Sequence, residues 1–340
     1  MTRVLLAGDH FIRADALARE ISTASPNASL DVQTLLLPWP NVPFSAVAEV
    51  DEASGSEDEM IAAIKGVEIC VTQMAPFTRR VIEAADALKL ICVTRGGPVN
   101  VNLEAARARG IAVCPAPGRN AAATAEHTIA LLLAALRNVP ARHSEILEGQ
   151  WRSDYYGFDQ VGFEIGGSTT GLVGYGAVGR LVARMLQGFG AKVMVYDPFA
   201  AIDPADGVDQ EDDLHRLLAA SRIVSLHARL TKETRGMIGA PQIAAMPRGG
   251  VLVNAARGAL LDYDAACDAL QSGHLASAAF DVFPEEPLPT RSRLRTTPNI
   301  VMTPHLAGAT KETALRAARI AAGQVAAYLA GQPLPFRIGA

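Results

Sequence analysis

The sequence lacks the features that define small secreted proteins and zinc modules. Its 340 residues include four cysteines, Cys70, Cys92, Cys114 and Cys267, which lie far apart, with no CxxC pair and no nearby histidine to complete a zinc site. We therefore predict free, buried thiols in a reducing compartment and no bound metal.

Long apolar runs and an excess of basic charge are also missing. The longest strongly apolar stretch, Thr128 to Leu136, is half of a bilayer span. Near the N-terminus, Arg3 and Asp9 flank an apolar run of only five residues, which is shorter than a signal peptide needs. Lysine and arginine number 31 against 35 acidic residues, a net charge of −4. We expect a cytoplasmic protein without an export signal, a membrane span or a nucleic-acid partner.

Short apolar segments alternate instead with helical patterns, which predicts an α/β fold with doubly wound parallel sheets. A loop from Pro38 to Pro43 and a long buried helix over Ala121–Arg137 interrupt this series, and a helix over Glu312–Leu329 ends it. The strands predicted in the first third are Val4–Ala7, Val32–Leu37, Val67–Thr72, Leu90–Thr94 and Ile111–Cys114.

A dinucleotide site is indicated where a strand over Thr169–Val173 leads into the sequence GYGAVG and an amphipathic helix. Gly174 permits a tight turn, Gly176 lets the backbone approach a pyrophosphate, and Gly179 lets the helix pack closely on the strand. The next strand ends at Asp197, 18 residues past Gly179, where a carboxylate would accept hydrogen bonds from the adenosine ribose. No basic residue follows to hold a 2′-phosphate, so we predict NAD (NADH) rather than NADP.

Seven ordered motifs resemble the D-isomer-specific 2-hydroxyacid dehydrogenase family, in a phosphoglycerate dehydrogenase-like short form without a C-terminal regulatory domain. They are RGGPVNVNLEAARARGIAVCPAPGRN, AEHTIALLLAALRN, LVGYGAVGR, VSLHARLTKETRGMIG, NAARG, FDVFPEEPLP and TPHLAG. The resemblance implies a Rossmann NAD-binding domain over residues 120–306, inserted into a flavodoxin-like substrate domain formed by residues 1–119 and 307–340.

The same resemblance implies a catalytic set of Arg257, Glu286 and His305. Arg257 would hold the substrate carboxylate, because its planar donors match the oxygens of a 2-oxo acid. His305 would exchange a proton with the 2-oxygen, since histidine titrates near neutrality, and Glu286 would stabilise the imidazolium and fix its tautomer. The implied reaction interconverts a D-2-hydroxy acid and its 2-oxo acid by hydride transfer.

Further residues are assigned by position in the motifs. The implied cofactor contacts beyond the glycines and Asp197 are Ala177, Val178, His227, Thr234, Ala255, Asp281 (to the nicotinamide carboxamide) and Gly308. His227 is equally consistent with a histidine whose hydrogen bonds are satisfied at a strand end. The backbone of Gly96, Gly97 and Val99 would receive the substrate carboxylate, although Pro98 removes one donor.

Two questions stay open from the sequence. Relatives form a two-fold dimer through the long helix and the segment that follows it, here called the arm. The arm contains an aromatic cluster of Trp151, Tyr155 and Tyr156, which is typical of an interface between subunits; the alternative is that these side chains pack within one subunit. For the oligomeric state, the preferred interpretation is a homodimer. For the function, the preferred interpretation is an enzyme, and an NAD-sensing binding protein or corepressor on the same fold is the alternative.

Overall fold

The computed structural model describes residues 1–39 and 45–339 and divides into two compact units. The first unit comprises Met1–Asn120 and Ala309–Ala340, and the second comprises Ala121–Gly308. Most of the predicted proline-rich loop, Pro40 to Pro43, lies outside the described residues. Within the described ranges, no helix combines the length and apolar character needed to cross a membrane.

The first unit contains a five-stranded parallel sheet with the strand order β2-β1-β5-β6-β7, flanked by helices. All five strands predicted in this part of the chain are present. A short antiparallel hairpin, β3–β4, was not predicted. The strands are β1 (Thr2–Gly8), β2 (Leu30–Leu36), β3 (Ser45–Val47), β4 (Val50–Ala53), β5 (Ile69–Thr72), β6 (Leu90–Val93) and β7 (Ala112–Cys114), and the helices are α1 (Ala14–Ala24), α2 (Glu57–Ala63), α3 (Arg79–Ala84) and α4 (Leu103–Ala108).

Strands β5 and β6 are buried at every position, because helices cover both faces of the sheet. Three of the four cysteines, Cys70, Cys92 and Cys114, lie in β5, β6 and β7, and the fourth is Cys267 in the second unit. All four are free and buried. Burial raises the pKa of the Cys70 thiol, and it raises that of Cys114 to about 11.

The second unit contains a seven-stranded parallel sheet with the order β10-β9-β8-β11-β12-β13-β14. Its strands are β8 (Thr169–Val173), β9 (Lys192–Tyr196), β10 (Asp209–Gln210), β11 (Ile223–Leu226), β12 (Gly250–Asn254), β13 (Leu275–Phe280) and β14 (Ile300–Met302). Its helices are α5 (Ala121–Leu136), α6 (Val139–Leu147), α7 (Ala177–Gly188), α8 (Leu214–Ala220), α9 (Ala240–Ala245) and α10 (Tyr263–Gln271). The strand order reverses between β8 and β11, the place where open α/β sheets bind ligands.

Helix α5 is the predicted long helix, and it is buried along most of its length, from Ala121 to Leu136. It packs against α7 and the strands β12 to β14 in the second unit. The chain then returns to the first unit in α11 (Lys311–Leu329), which begins at a Thr310 side-chain cap and packs against α1 and β6. Both predicted helices therefore form within two residues of their predicted ends.

Candidate active site

The turn after β8 has the geometry of a phosphate cradle. Gly174 has φ +103°, and a Cβ there would lie 2.5 Å from the backbone nitrogen of Ala228, so only glycine fits. A Cβ on Gly179 would lie 2.4 Å from the Gly174 carbonyl oxygen. At Gly176, by contrast, a Cβ would meet nothing within 4 Å, and this residue is the N-cap of α7, with no side-chain cap hydrogen bond. Packing does not require glycine at position 176, and the open space and free helix N-terminus fit a pyrophosphate.

Asp197 follows β9 with a half-buried carboxylate. Its Oδ2 accepts a hydrogen bond from the Tyr175 amide at 2.7 Å, and its Oδ1 accepts from the amides of Phe199 and Ala200 at 2.9 and 3.1 Å. The side chain therefore joins the glycine turn to the segment after β9. Oδ2 accepts a single bond and keeps a second acceptor position, so the carboxylate can also accept from a ribose hydroxyl.

Arg257 lies on the loop after β12, which two buried side chains support. Asn254 donates to the Arg257 carbonyl at 2.9 Å and to the Tyr263 hydroxyl at 3.1 Å. Tyr263 in turn donates to the Val282 carbonyl at 2.6 Å. A Cβ on Gly258 would overlap the Phe283 carbonyl oxygen, so glycine permits the close approach of this loop to the next one. The guanidinium of Arg257 is exposed and bonded to the Ala256 carbonyl at 2.7 Å. It is therefore placed to exchange that contact for a ligand.

Glu286 and His305 form a direct pair at the carboxyl end of the sheet. The Nδ1 atom of His305 lies 2.7 Å from Oε2 of Glu286, while Oε1 accepts from the Phe283 amide at 2.9 Å. Partial burial acts to raise the pKa of Glu286. The hydrogen bond from His305 and the charges of His305 and Arg257 outweigh this effect, so the pKa lies below its ordinary value. Glu286 is a carboxylate near neutral pH and holds His305 through Nδ1.

Asp281 is completely buried at the end of β13, and its bonds go to the segment that carries His305. Oδ1 accepts from the Thr303 hydroxyl at 2.6 Å and from the Leu306 amide at 2.8 Å, and Oδ2 accepts from the Ala307 amide at 2.8 Å. The Asp281 carbonyl accepts from the His305 amide at 2.8 Å.

The remaining predicted cofactor residues also lie in the second unit. His227 follows β11, and its Nε2 lies 2.9 Å from the Ser225 hydroxyl; desolvation lowers its pKa to about 4. The hydroxyl of Thr234 donates to the Arg229 carbonyl at 2.7 Å within a turn. Ala177 and Val178 begin α7, Ala255 follows β12 and is buried, and Gly308 ends the second unit.

The predicted substrate residues Gly96, Gly97 and Val99 lie in the first unit, after β6. A Cβ on either glycine would meet nothing within 4 Å, so the backbone is open on that side. Val99 is 44% exposed, and its carbonyl accepts from the Asp51 amide at 3.0 Å, which attaches the unpredicted hairpin to this loop.

The aromatic residues of the arm divide into two groups. Tyr155 donates to Glu145 at 2.5 Å, and the guanidinium of Arg142 stacks on its ring. Trp151 and Tyr156 are 87% and 91% exposed, so they do not pack within this chain.

Sequence reasoning missed the supporting residues Asn254, Tyr263, Thr303 and His127. The sequence analysis included His127 in an apolar helix. A titratable group inside a buried segment is itself a signal of a buried polar contact.

In the part of the chain that the structure describes, no three His, Cys, Asp or Glu side chains are arranged to hold a metal ion.

Comparison with known proteins agrees with this geometry. Residues 129–307 match the model of the D-isomer specific 2-hydroxyacid dehydrogenase, NAD binding domain. The chain is 37% identical over 290 residues to a D-3-phosphoglycerate dehydrogenase of Methanocaldococcus jannaschii, covering 84% of this chain and 54% of that protein. It is 36% identical over 287 residues to a glyoxylate reductase of Korarchaeum cryptofilum, covering 84% and 86% respectively.

The fold is shared with solved structures. The TT0316 protein of Thermus thermophilus superposes with a TM-score of 0.80 and 32% sequence identity, covering 99% of this chain and all of that one. The chain spans about half the length of the phosphoglycerate dehydrogenase named above. The glycine turn, Asp197 and these matches together show an NAD-binding domain, and the chain belongs to the D-isomer-specific 2-hydroxyacid dehydrogenase family.

Proposed function

We propose that this protein is an NAD-dependent oxidoreductase that interconverts a D-2-hydroxy acid and the corresponding 2-oxo acid. The observation that carries the proposal is the 2.7 Å contact between His305 Nδ1 and Glu286. Both residues lie on loops that follow strands of the same sheet as the strand before the open glycine turn. The names of relatives, which include a glyoxylate reductase and a glycerate dehydrogenase, support this substrate class.

The chain would bind the dinucleotide through groups of the second unit. The amides at the start of α7 and the open side of Gly176 would receive the pyrophosphate, and Asp197 would accept from the ribose hydroxyls. His227, Thr234, Ala255, Asp281 and Gly308 are proposed to line the rest of the site. When bound, NADH supplies a hydride to the substrate 2-carbon.

His305 would supply the accompanying proton. Because Glu286 is acceptor-only as a carboxylate, Nδ1 of His305 must donate to it, which leaves Nε2 to face the substrate. During reduction, the Nε2 proton moves to the 2-oxygen as the 2-carbon gains the hydride. In the reverse direction the neutral ring accepts that proton, so the same atom serves as acid and base.

Arg257 is proposed to bind the substrate carboxylate. Its exposed guanidinium bonds only one backbone carbonyl among the hydrogen bonds described, and two parallel donors match a carboxylate. The backbone of Gly96, Gly97 and Val99 is proposed as a second set of substrate contacts.

We also propose that the enzyme is a cytoplasmic homodimer. Four free, buried cysteines are compatible with a reducing compartment. Trp151, Tyr156 and Phe158 are each more than four-fifths exposed and lie close together along the arm, and aromatic side chains of this kind are typical of interfaces. A second copy of the arm would remove them from water.

The test is NADH consumption by the purified protein with glyoxylate, hydroxypyruvate and larger 2-oxo acids. We expect turnover with at least one of them, and we expect His305→Asn to lose about 10²- to 10⁴-fold in kcat while NADH still binds. NADH binding by the parent without turnover of any 2-oxo or 2-hydroxy acid would contradict the proposal and favour a binding protein. Unchanged turnover in His305→Asn would place the proton donor elsewhere.

A further inference from the structure

The segment 303–307, here called the catalytic turn, has an unusual backbone at its centre. His305 has φ +54°, in the left-handed region that residues with a Cβ rarely adopt. Such a conformation persists only where the surrounding structure holds it. The contacts that hold this turn, together with the bond from Nδ1 to Glu286, therefore decide where the imidazole points.

Most hydrogen bonds of the turn backbone go to one residue, Asp281. The His305 amide also lies 3.0 Å from the Thr303 carbonyl oxygen, and the Thr303 amide donates to the Phe280 carbonyl at 3.0 Å. Its carbonyl accepts from the His305 amide, and its carboxylate accepts from the next two amides, those of Leu306 and Ala307. Asp281 thus binds three successive amides of the catalytic turn. Its carboxylate is 0% exposed, so its charge depends on these donors and on the Thr303 hydroxyl.

His127 on α5 extends this set of contacts. Its Nε2 lies 2.9 Å from the Thr303 hydroxyl oxygen and 3.5 Å from Oδ1 of Asp281. The Thr303 hydroxyl has a single proton, which it donates to Asp281. His127 must therefore donate its Nε2 proton to Thr303, and this order of donors fixes the His127 tautomer.

We propose that His127, Thr303 and Asp281 form a positioning network that holds the catalytic turn and thereby the orientation of the His305 imidazole. His127 acts through Thr303 and touches no reacting atom, so it is a positioning residue. In this role, Asp281 stabilises the backbone of the turn, in addition to any contact with the cofactor. The link to catalysis rests on the proposed function of His305, whereas the network itself rests on the hydrogen bonds.

Matched substitutions separate the effects of the Thr303 hydroxyl and of the His127 ring donor from the effect of side-chain volume. Thr303→Val removes the hydroxyl and keeps the branched shape, and Thr303→Ser keeps the hydroxyl. His127→Leu removes the donor, and His127→Gln retains an N–H at similar reach. Thr297→Val is the control, because Thr297 is a buried threonine of the same unit whose hydroxyl bonds the Arg293 carbonyl outside the network.

Kinetics and NADH binding form the first readout. We expect Thr303→Val and His127→Leu to lose on the order of 10-fold or more in kcat, since small displacements of a catalytic group have effects of this size. KM and the NADH Kd should stay within about threefold of the parent values. Thr303→Ser and His127→Gln should recover most of the activity, and Thr297→Val should match the parent. Parental kcat in both Thr303→Val and His127→Leu would overturn the proposal.

The second readout needs no turnover. With ¹⁵N-labelled histidine, the ring signals of His127 and His305 can be identified among those of the seven histidines by their loss in His127→Gln and His305→Asn. The network predicts an Nε2-protonated His127 and a shift of the His305 signals in Thr303→Val. If the parent turns over no substrate, the proposed function fails, yet these spectra still decide the network. An Nδ1-protonated His127 with unmoved His305 signals would refute it.

Discussion

The substitution Glu286→Gln tests the proposed acid/base pair, Glu286 and His305, with an almost unchanged side-chain shape. In the parent, Oε1 of Glu286 accepts from the Phe283 amide, and Oε2 accepts from His305. A glutamine oxygen must keep the Phe283 bond, because an NH₂ group there would face another donor. The glutamine nitrogen then faces Nδ1 of His305, which makes Nδ1 an acceptor and the ring neutral.

The size of the effect follows from the lost charge. A hydrogen bond to a charged group contributes about 1.5–3 kcal/mol, and about 1.4 kcal/mol corresponds to a tenfold change in rate. The His305 side chain is 50% exposed, so solvent screening places the effect near the lower limit. We expect kcat for 2-oxo acid reduction to fall about 10- to 30-fold.

The pH dependence has a definite sign. The pKa of Glu286 lies below its ordinary value, so the contribution of the carboxylate is complete at neutral pH and disappears as the pH falls through that lowered pKa. The parent and Glu286→Gln should therefore differ most near neutrality and converge in acid. Rates of NADH consumption across the pH range measure this. Glu285→Gln is the control, since Glu285 is an exposed neighbour. A parental rate for Glu286→Gln, with a loss in Glu285→Gln, would refute the reasoning.

Three further expectations concern the cofactor, the interface and stability. The parent should use NADH far better than NADPH in kcat/KM, and Asp197→Ala should narrow the gap by removing the charge that repels a 2′-phosphate; a parent that prefers NADPH would contradict this. Trp151→Ala should weaken the proposed dimer by about 2 kcal/mol, or about 30-fold in Kd by sedimentation, whereas Phe199→Ala, an exposed site outside the arm, should not; a monomeric parent would exclude the interface. His227, with its pKa lowered from 6.5 to about 4, binds a proton more readily when unfolded, so it should cost stability as the pH falls from 6.5 towards 4. His227→Gln should show a smaller drop in Tm over that range, and an identical drop in both proteins would argue against a desolvated ring.

Regular elements with strong local patterns could be predicted from the sequence. Strand β8 and helix α5 begin where the sequence predicts, and β9 ends one residue before the predicted Asp197, because apolar runs, glycine spacing and helix propensity all indicate the same structure there. The β3–β4 hairpin could not be predicted. Its strands are short and partly polar, and Ala48 and Glu52, which have positive φ, give none of the usual glycine or asparagine turn signals.

For the candidate site, the positions of the residues could be predicted from the sequence, but the contacts among them could not. The sequence places Asp281 at a strand end, but the direction of its carboxylate depends on the conformation of His305 and on Thr303. His127 lies 176 positions from Thr303 along the chain, so no local pattern relates them. Contacts of this kind depend on tertiary packing, which a single sequence does not display.

The buried cysteines make the two units separately observable. Cys70, Cys92 and Cys114 report on the first unit, and Cys267 reports on the second. Buried thiols react with alkylating reagents only after local or global opening makes them accessible. The rate of alkylation at each cysteine, read by mass spectrometry after pulses of reagent, would thus measure the opening free energy of each unit in the unmodified protein, without an introduced label.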